Sequence, residues 1–243
     1  MQPIYRRVLL KISGEALASA TETYDPAKLD FIAREVADLQ SLGVQVGLVV
    51  GAGNIWRGRH GGAEMSRTTA DAMGMLATAI NALALSEAIR AVGGKTTVQS
   101  AVPMGGFIDL FSAQKAIAAL ESGLVVVFAA GIGNPFFSTD TAAVMRALEI
   151  KADATLLAKN VAGVFTADPR TDPDAKMYRC VSQVDCVRLD LKAADLTAMT
   201  MSMEYDLTIE VFELTAGNIR RAACGESPGT TVTRTAPEGG LFT

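Results

Sequence analysis

Histidine, tryptophan and cysteine are scarce in this chain of 243 residues, which has one His, one Trp and three Cys. His60 alone leaves too few imidazole nitrogens for a usual zinc centre. Cys180, Cys186 and Cys224 form an odd set without C-x-x-C spacing, so neither a disulfide framework nor a thiolate metal site is readable. Positive charge is not in excess either. With 22 Lys and Arg against 26 Asp and Glu, the net charge is −4. A pI near 5.1 argues against a nucleic-acid partner bound by bulk charge. The longest apolar runs, such as 124–130 and 73–80, stop short of the roughly 18 residues of a membrane span, so no membrane partner is expected. Residues 1–11 are basic and then strand-like, without the apolar core and cleavage site of a secretory signal, and a cytoplasmic location is expected.

Apolar residues make up 49% of the chain, enough to exclude disorder and to build a sizeable core. Short apolar runs at 8–12, 44–50, 96–101, 124–129 and 154–158 read as buried strands. Between them, 26–42, 69–91, 112–121 and 139–149 have helical length and period. In the first, Leu29, Ile32, Ala33, Val36 and Leu39 share one face, Asp25 is placed to cap it, Pro26 suits its first turn and Gly43 ends it. This alternation predicts a three-layer α/β/α sandwich around a mostly parallel sheet, with right-handed crossovers. The last third is less regular. Pro169 and Pro173 mark 168–176 as a surface loop. Helical stretches follow near 184–188 and 193–203, then a strand at 207–212, a helix near 217–223 and a last strand at 229–232. Residues 233–243 are polar and weakly patterned and read as a frayed tail. No linker divides the chain, so 1–243 reads as a single domain.

Ligands of open parallel sheets bind beyond the carboxyl ends of the strands. Three such ends here are rich in glycine: Lys11-Ile12-Ser13-Gly14-Glu15, then Gly51-Ala52-Gly53-Asn54-Ile55-Trp56-Arg57-Gly58, then the stretch from Gly131 to Asp140. Glycine lets backbone N–H groups approach an anion, and a following helix aims its positive end at the same place. Lys11 and Arg57 add cations, and a lysine in a buried strand end is costly unless its ammonium meets an anion or water. Three such loops on one edge point to a phosphate-rich ligand. Common phosphate motifs fail on spacing: Gly94-Lys95-Thr96 ends like a P-loop, but Ile89 stands where its first glycine belongs, and Trp56 breaks a G-x-G-x-x-G begun at Gly51. There is no G-x-S-x-G elbow. Met73, Met75, Met199, Met201 and Met203 read as core or subunit-contact filler. Asp168, Asp172 and Asp174 could hold a cation, although the last two read as solvated loop charge.

The succession LLKISGE, GAGNIWRG, ADAMGMLATAINALAL, GIGNPFFSTDTAA and GVFTADP resembles the bacterial uridylate kinase (UMP kinase) family of the amino-acid kinase superfamily, over about residues 8–232. The resemblance implies the amino-acid kinase fold and reversible transfer of the γ-phosphoryl group of ATP to UMP in pyrimidine nucleotide biosynthesis, with Mg²⁺ carried by ATP and no dedicated protein metal site. It implies catalytic roles for Lys11, Asp140 and Lys159. It places ATP against Lys11, Ile12, Ser13, Gly14, Gly53, Arg57, Lys159, Asn160, Phe165 and Asp168. UMP is placed against Ala52, Asp71, Ile132, Gly133, Asn134, Pro135, Phe136, Phe137, Ser138 and Thr139. UMP features thus fall mostly in 1–150 and ATP features mostly in 151–243. The resemblance further implies a homohexamer with GTP activation and UTP inhibition. Three positions depart from the family pattern: Ala52 replaces a glycine, Ile132 a threonine of some relatives, and Ala162 a common aspartate. Phosphoryl transfer needs positioning and charge stabilisation, which glycine-loop amides and lysines supply. The alternatives are a superfamily kinase acting on a carboxylate or carbamate, and a non-catalytic nucleotide sensor or anion-storage module.

Overall fold

A computed structural model describes residues 2–56 and 65–243. Its centre is β1 (Arg7–Ile12), buried at every position, which pairs in parallel with β2 (Gln45–Val50) on one side and β6 (Ala154–Lys159) on the other. Beyond β2 lie β5 (Val125–Ala129), β3 (Thr96–Ser100) and the two-residue β4 (Asp109–Leu110), all parallel. Beyond β6 lie β8 (Thr208–Glu213), the antiparallel β9 (Thr230–Val232), β7 (Tyr178–Val181) and β10 (Leu241–Phe242). The sheet is thus mostly parallel, as its apolar, charge-poor strands require.

Side-chain alternation divides the core between the two faces. Val8, Leu10 and Ile12 join Leu48 and Leu156 under α1 (Pro26–Ser41), α2 (Arg67–Ala91) and α7 (Asn218–Ala223). Leu9 joins Val49, Phe128 and Leu157 under α3 (Ala113–Glu121), α4 (Thr139–Glu149), α5 (Gln183–Arg188) and α6 (Leu196–Glu204). The expected three layers follow. Asp25 caps α1 by accepting from Ala27 N at 2.9 Å and Lys28 N at 3.3 Å, a contact worth about 1 kcal/mol. Helix α2 is long and apolar enough by length and composition to cross a membrane, although Asp71, Asn81 and Glu87 interrupt its apolar runs. It packs on α1, β3 and β5, as the core helix of a folded domain does.

The tail corrects an expectation. Residues 233–243 do not fray as a whole: Leu241–Phe242 adds an antiparallel strand beside β7, and the Phe242 ring stacks on Tyr178 at 4.6 Å. Strands β7, β4 and β10 were not anticipated, and the helix expected from 193 begins at Leu196, after its cap Asp195.

Candidate active site

Parity along the strands builds the site. Lys11 follows Leu9 by two residues and Lys159 follows Leu157 by two, so both lysines leave the sheet on the face that carries α4. The first turn of α4 holds Asp140, whose Oδ1 lies 2.8 Å from Lys11 Nζ and whose Oδ2 accepts from Lys159 Nζ at 3.1 Å. Lys159 Nζ also donates to the Ala193 carbonyl at 2.6 Å. The Lys11 contact is an ion pair rather than a well-directed hydrogen bond, which leaves the buried Oδ1 short of a donor. Burial pushes the Asp140 carboxyl upward, but attraction by Lys11 and Lys159 outweighs it and holds the group at about 2. Two ammonium groups share one carboxylate, and the cluster keeps a net positive charge in a largely dry place. Such a centre suits an anion.

The three glycine loops meet around this cluster. Gly51 N donates to the Ile12 carbonyl at 2.9 Å, which joins the first loop to the second. A Cβ on Gly14 would stand 2.6 Å from Asn54 Oδ1, the Gly51 carbonyl and Gly53 N, so only glycine fits there. Ser13 precedes a short 3₁₀ turn at Gly14–Leu17 and its side chain caps nothing. The third loop is the most contorted: Ala130, Gly131, Gly133 and Phe136 all have positive φ. For the two non-glycine residues this costs of order 1–3 kcal/mol each and marks a conformation imposed by its surroundings. The loop is held from three sides. Thr78 Oγ1 accepts from Ala130 N at 2.9 Å, Asp71 Oδ2 accepts from Phe136 N at 2.8 Å, and Arg146 donates to the Gly131 carbonyl at 3.2 Å. Ala52 is not among the positive-φ residues, so its methyl in place of glycine is tolerated.

Three cavities lie along the loops beyond the strand ends, and one of them is lined by Lys159 of the cluster. One of 160 Å³ is lined by Ala52, Asp71, Ile132, Asn134, Phe137, Ser138 and Thr139, together with Trp56 and Thr78. Gly133, Pro135 and Phe136 lie in the same loop without lining it. A second, of 470 Å³, is lined by Ser13, Lys159 and Asn160, with Glu15 and Lys28. The third, of 350 Å³, is lined by Phe165, Asp168, Arg170, Leu191 and Lys192. Side-chain and backbone hydrogen bonds from Arg170 hold the Asp168 carboxyl at about 2. A larger cavity of 720 Å³ between α2 and β3, with Arg90 and Phe107, is separate and contains none of these residues. Ile12 contributes only its backbone, since its side chain is fully buried in the core. Arg57 and His60 lie outside the described residues.

Several working residues escaped the sequence reading. Asn81, fully buried on α2, donates to the Gly51 carbonyl and pairs with Asn54, each at 2.7 Å, while Tyr24 donates to Asn81. Asp195 caps α6 and also accepts from Ser138 and from Thr141 Oγ1, clamping the start of α4. A lone amide inside an apolar helix was the one available signal for Asn81; for Asp195 and Arg146 there was none.

Residues 6–212 match the amino acid kinase family. The chain belongs to this family. Among relatives of this amino acid kinase are uridylate kinases of Vibrio vulnificus, 46% identical over 235 residues with 96% of this chain and 98% of the relative covered, and of Aliivibrio fischeri, 46% identical with 95% and 96% covered. Among solved structures, UMP kinase from Bacillus anthracis superimposes with a TM-score of 0.94 at 36% identity, covering 98% of this chain and 99% of that one. UMP kinase from Ureaplasma parvum gives 0.89 at 33% identity, covering 94% and 99%.

Proposed function

We infer that this chain is a nucleoside monophosphate kinase that transfers the γ-phosphoryl group of ATP to UMP, giving ADP and UDP. The observation that carries the reading is the Lys11–Asp140–Lys159 cluster at the junction of three glycine loops, in a chain 46% identical to uridylate kinases over nearly its whole length. We read the 160 Å³ cavity as part of the acceptor side and the 350 Å³ cavity as the adenosine side, with the 470 Å³ cavity opening beside Lys159. In this reading an oxygen of the UMP phosphate attacks the γ-phosphorus as the bond to the ADP oxygen breaks. The attacking phosphate is already anionic, so no side chain need remove a proton. Lys11 and Lys159 face charge spreading over the transferred group, and Asp140 holds both ammonium groups in place before substrate arrives. The backbone amides of the first and third loops add donors that need no reorganisation.

Among the described residues no cluster of three acidic, His or Cys side chains could cage a metal. Asp140, the acidic residue in the centre, is engaged by two ammonium groups. This donor set fits a Mg²⁺ ion held chiefly by ATP oxygens and water, where it would neutralise phosphate charge.

The proposal extends to a cytoplasmic enzyme of pyrimidine nucleotide synthesis, assembled as a homohexamer, activated by GTP and inhibited by UTP. An exposed apolar strip on α2, with Leu76, Ile80 and Leu83, supports a subunit contact. A coupled ADP-release assay with UMP, CMP, acetylglutamate and carbamate, with and without GTP, tests the substrate reading. UDP formation with UMP is the expected result. Turnover with acetylglutamate or carbamate and none with UMP would overturn it, as would tight UMP binding without UDP. A mass measurement in solution tests the hexamer.

A further inference from the structure

The segment that closes the sheet reaches the wall of the 350 Å³ cavity through one intervening stretch of chain. Thr243 N donates to the Met177 carbonyl at 3.1 Å, Leu241 and Phe242 pair with Cys180 and Tyr178, and the rings of Phe242 and Tyr178 stack. The other edge of the same strand supports the cavity wall. Tyr178 N donates to the Val164 carbonyl at 2.8 Å, Thr166 N donates to the Lys176 carbonyl at 3.0 Å, and Phe165 bridges Met177. Phe165 and Thr166 line the 350 Å³ cavity. Residues 176–178, which lead into β7, are therefore held between the segment 241–243 and the wall 164–166.

The segment is tied down by specific contacts. Gly239 N donates to Asp185 Oδ2 at 3.0 Å, and Gly240 N closes a turn onto the Pro237 carbonyl at 2.9 Å. Gly240 has φ +73°, and a Cβ there would stand 2.7 Å from the Tyr178 ring and 2.8 Å from the Cys180 carbonyl. Strands at sheet edges are otherwise free to shift and fray, and pairing on the outer edge removes that freedom.

We propose that residues 237–243 form a strap that fixes the Phe165–Thr166 wall of the donor cavity, so that Gly240 and Phe242 are positioning residues for ATP. The proposal rests on the reading of that cavity as the adenosine side. Neither residue lines any of the three cavities. Lifting the strap loosens the hold on adenosine and leaves the chemical step alone.

The test compares Phe242→Ala, Gly240→Ala and the conservative Phe242→Tyr with the parent protein. In the ADP-release assay, the first two should raise the KM for ATP about fivefold, the size expected when one aromatic contact is lost, with kcat and the KM for UMP within about twofold of the parent. Phe242→Tyr should restore the parent value. Hydrogen exchange supplies a readout independent of turnover: the Thr166 and Tyr178 amides should exchange faster in Phe242→Ala, and those of β1 and β2 should not change. Unchanged exchange at Thr166 and Tyr178 overturns the strap. So does a parallel rise in both KM values with a lowered melting temperature, which would mark general loosening. Failure of the parent to make UDP counts against the substrate reading alone, because the exchange result still decides the strap.

Discussion

Replacing Asp140 by Asn removes one negative charge and little volume, and leaves Lys11 and Lys159 facing each other. The carboxylate now lies 2.8 Å from one ammonium and 3.1 Å from the other. Taking the two ammonium groups as about 6 Å apart with an effective dielectric of about 20, their unrelieved repulsion is roughly 3 kcal/mol. The same charges hold the carboxyl at about 2 against an ordinary 3.8. That displacement corresponds to roughly 2–3 kcal/mol of folding stability. Asp140→Asn should therefore melt about 6–12 °C lower, at roughly 2–4 °C per kcal/mol for a chain of this size. Its kcat should fall about a hundredfold, because the repelled ammonium groups leave the positions where they meet transferring charge. The pH dependence has a definite sign. A lowered folded-state pKa contributes stability above the ordinary carboxyl range and loses it as pH falls through about 4 towards 2. The parent protein should lose stability in that window, and Asp140→Asn should lose less. Thermal melts from pH 2 to 7 and initial rates at saturating ATP and UMP measure both effects. The double variant Asp140→Asn, Lys159→Met should regain stability without regaining turnover. A single variant with turnover within about threefold of the parent and an unchanged melting curve would refute the electrostatic argument.

Other outcomes follow from the same geometry. Lys11→Ala should lower kcat by about 3–4 kcal/mol of transition-state stabilisation, as loss of an oxyanion donor does, and near-normal turnover would remove it from the reaction. Gly14→Ala forces a methyl to within 2.6 Å of two backbone atoms of the second loop; it should cost about 1–3 kcal/mol in chemical denaturation and weaken nucleotide binding by calorimetry. Glu210 lies in β8, buried, accepting from Tyr5 and Thr231 and pushed up to about 7 chiefly by burial. Its raised folded-state pKa makes stability fall as pH rises from about 4.5 to 7, so Glu210→Gln should be more stable than the parent at pH 8, by up to roughly 3 kcal/mol, and equal to it near pH 4. Superimposable denaturation curves at pH 8 would count against that environment.

Strands buried on both faces were legible because their composition leaves no other reading: all five expected in the first two thirds are present, within a residue or two of their bounds. Helix α4 spans Thr139–Glu149, the bounds given by its length and period. The junction of the two lysines with Asp140 is not written locally in the sequence, since it depends on the register of β1 against β6 and on where α4 crosses them. Strands β4, β7 and β10 were missed because two to four residues show no period, and β10 exists only through pairing with a strand about 60 residues away. Asn81 and Asp195 were missed because their partners come from distant loops. Polar residues in such places reveal their purpose only when the chain has closed around them.

The place of β1 bears on how the chain folds. It is the one strand that joins the β2–β5–β3–β4 half of the sheet to the β6–β8–β9–β7–β10 half. A chain synthesised from its amino end can complete the first half by residue 129, yet the outer edge of β1 then has no partner until residue 154 emerges. That edge belongs to a strand buried at every position and is a ready template for another nascent chain. Asp153, one residue before β6, accepts from the Arg6 and Arg7 amides at 2.7 and 2.8 Å. The arriving strand thus carries its own latch, and the exposure of the central seam ends at the first residues able to close it.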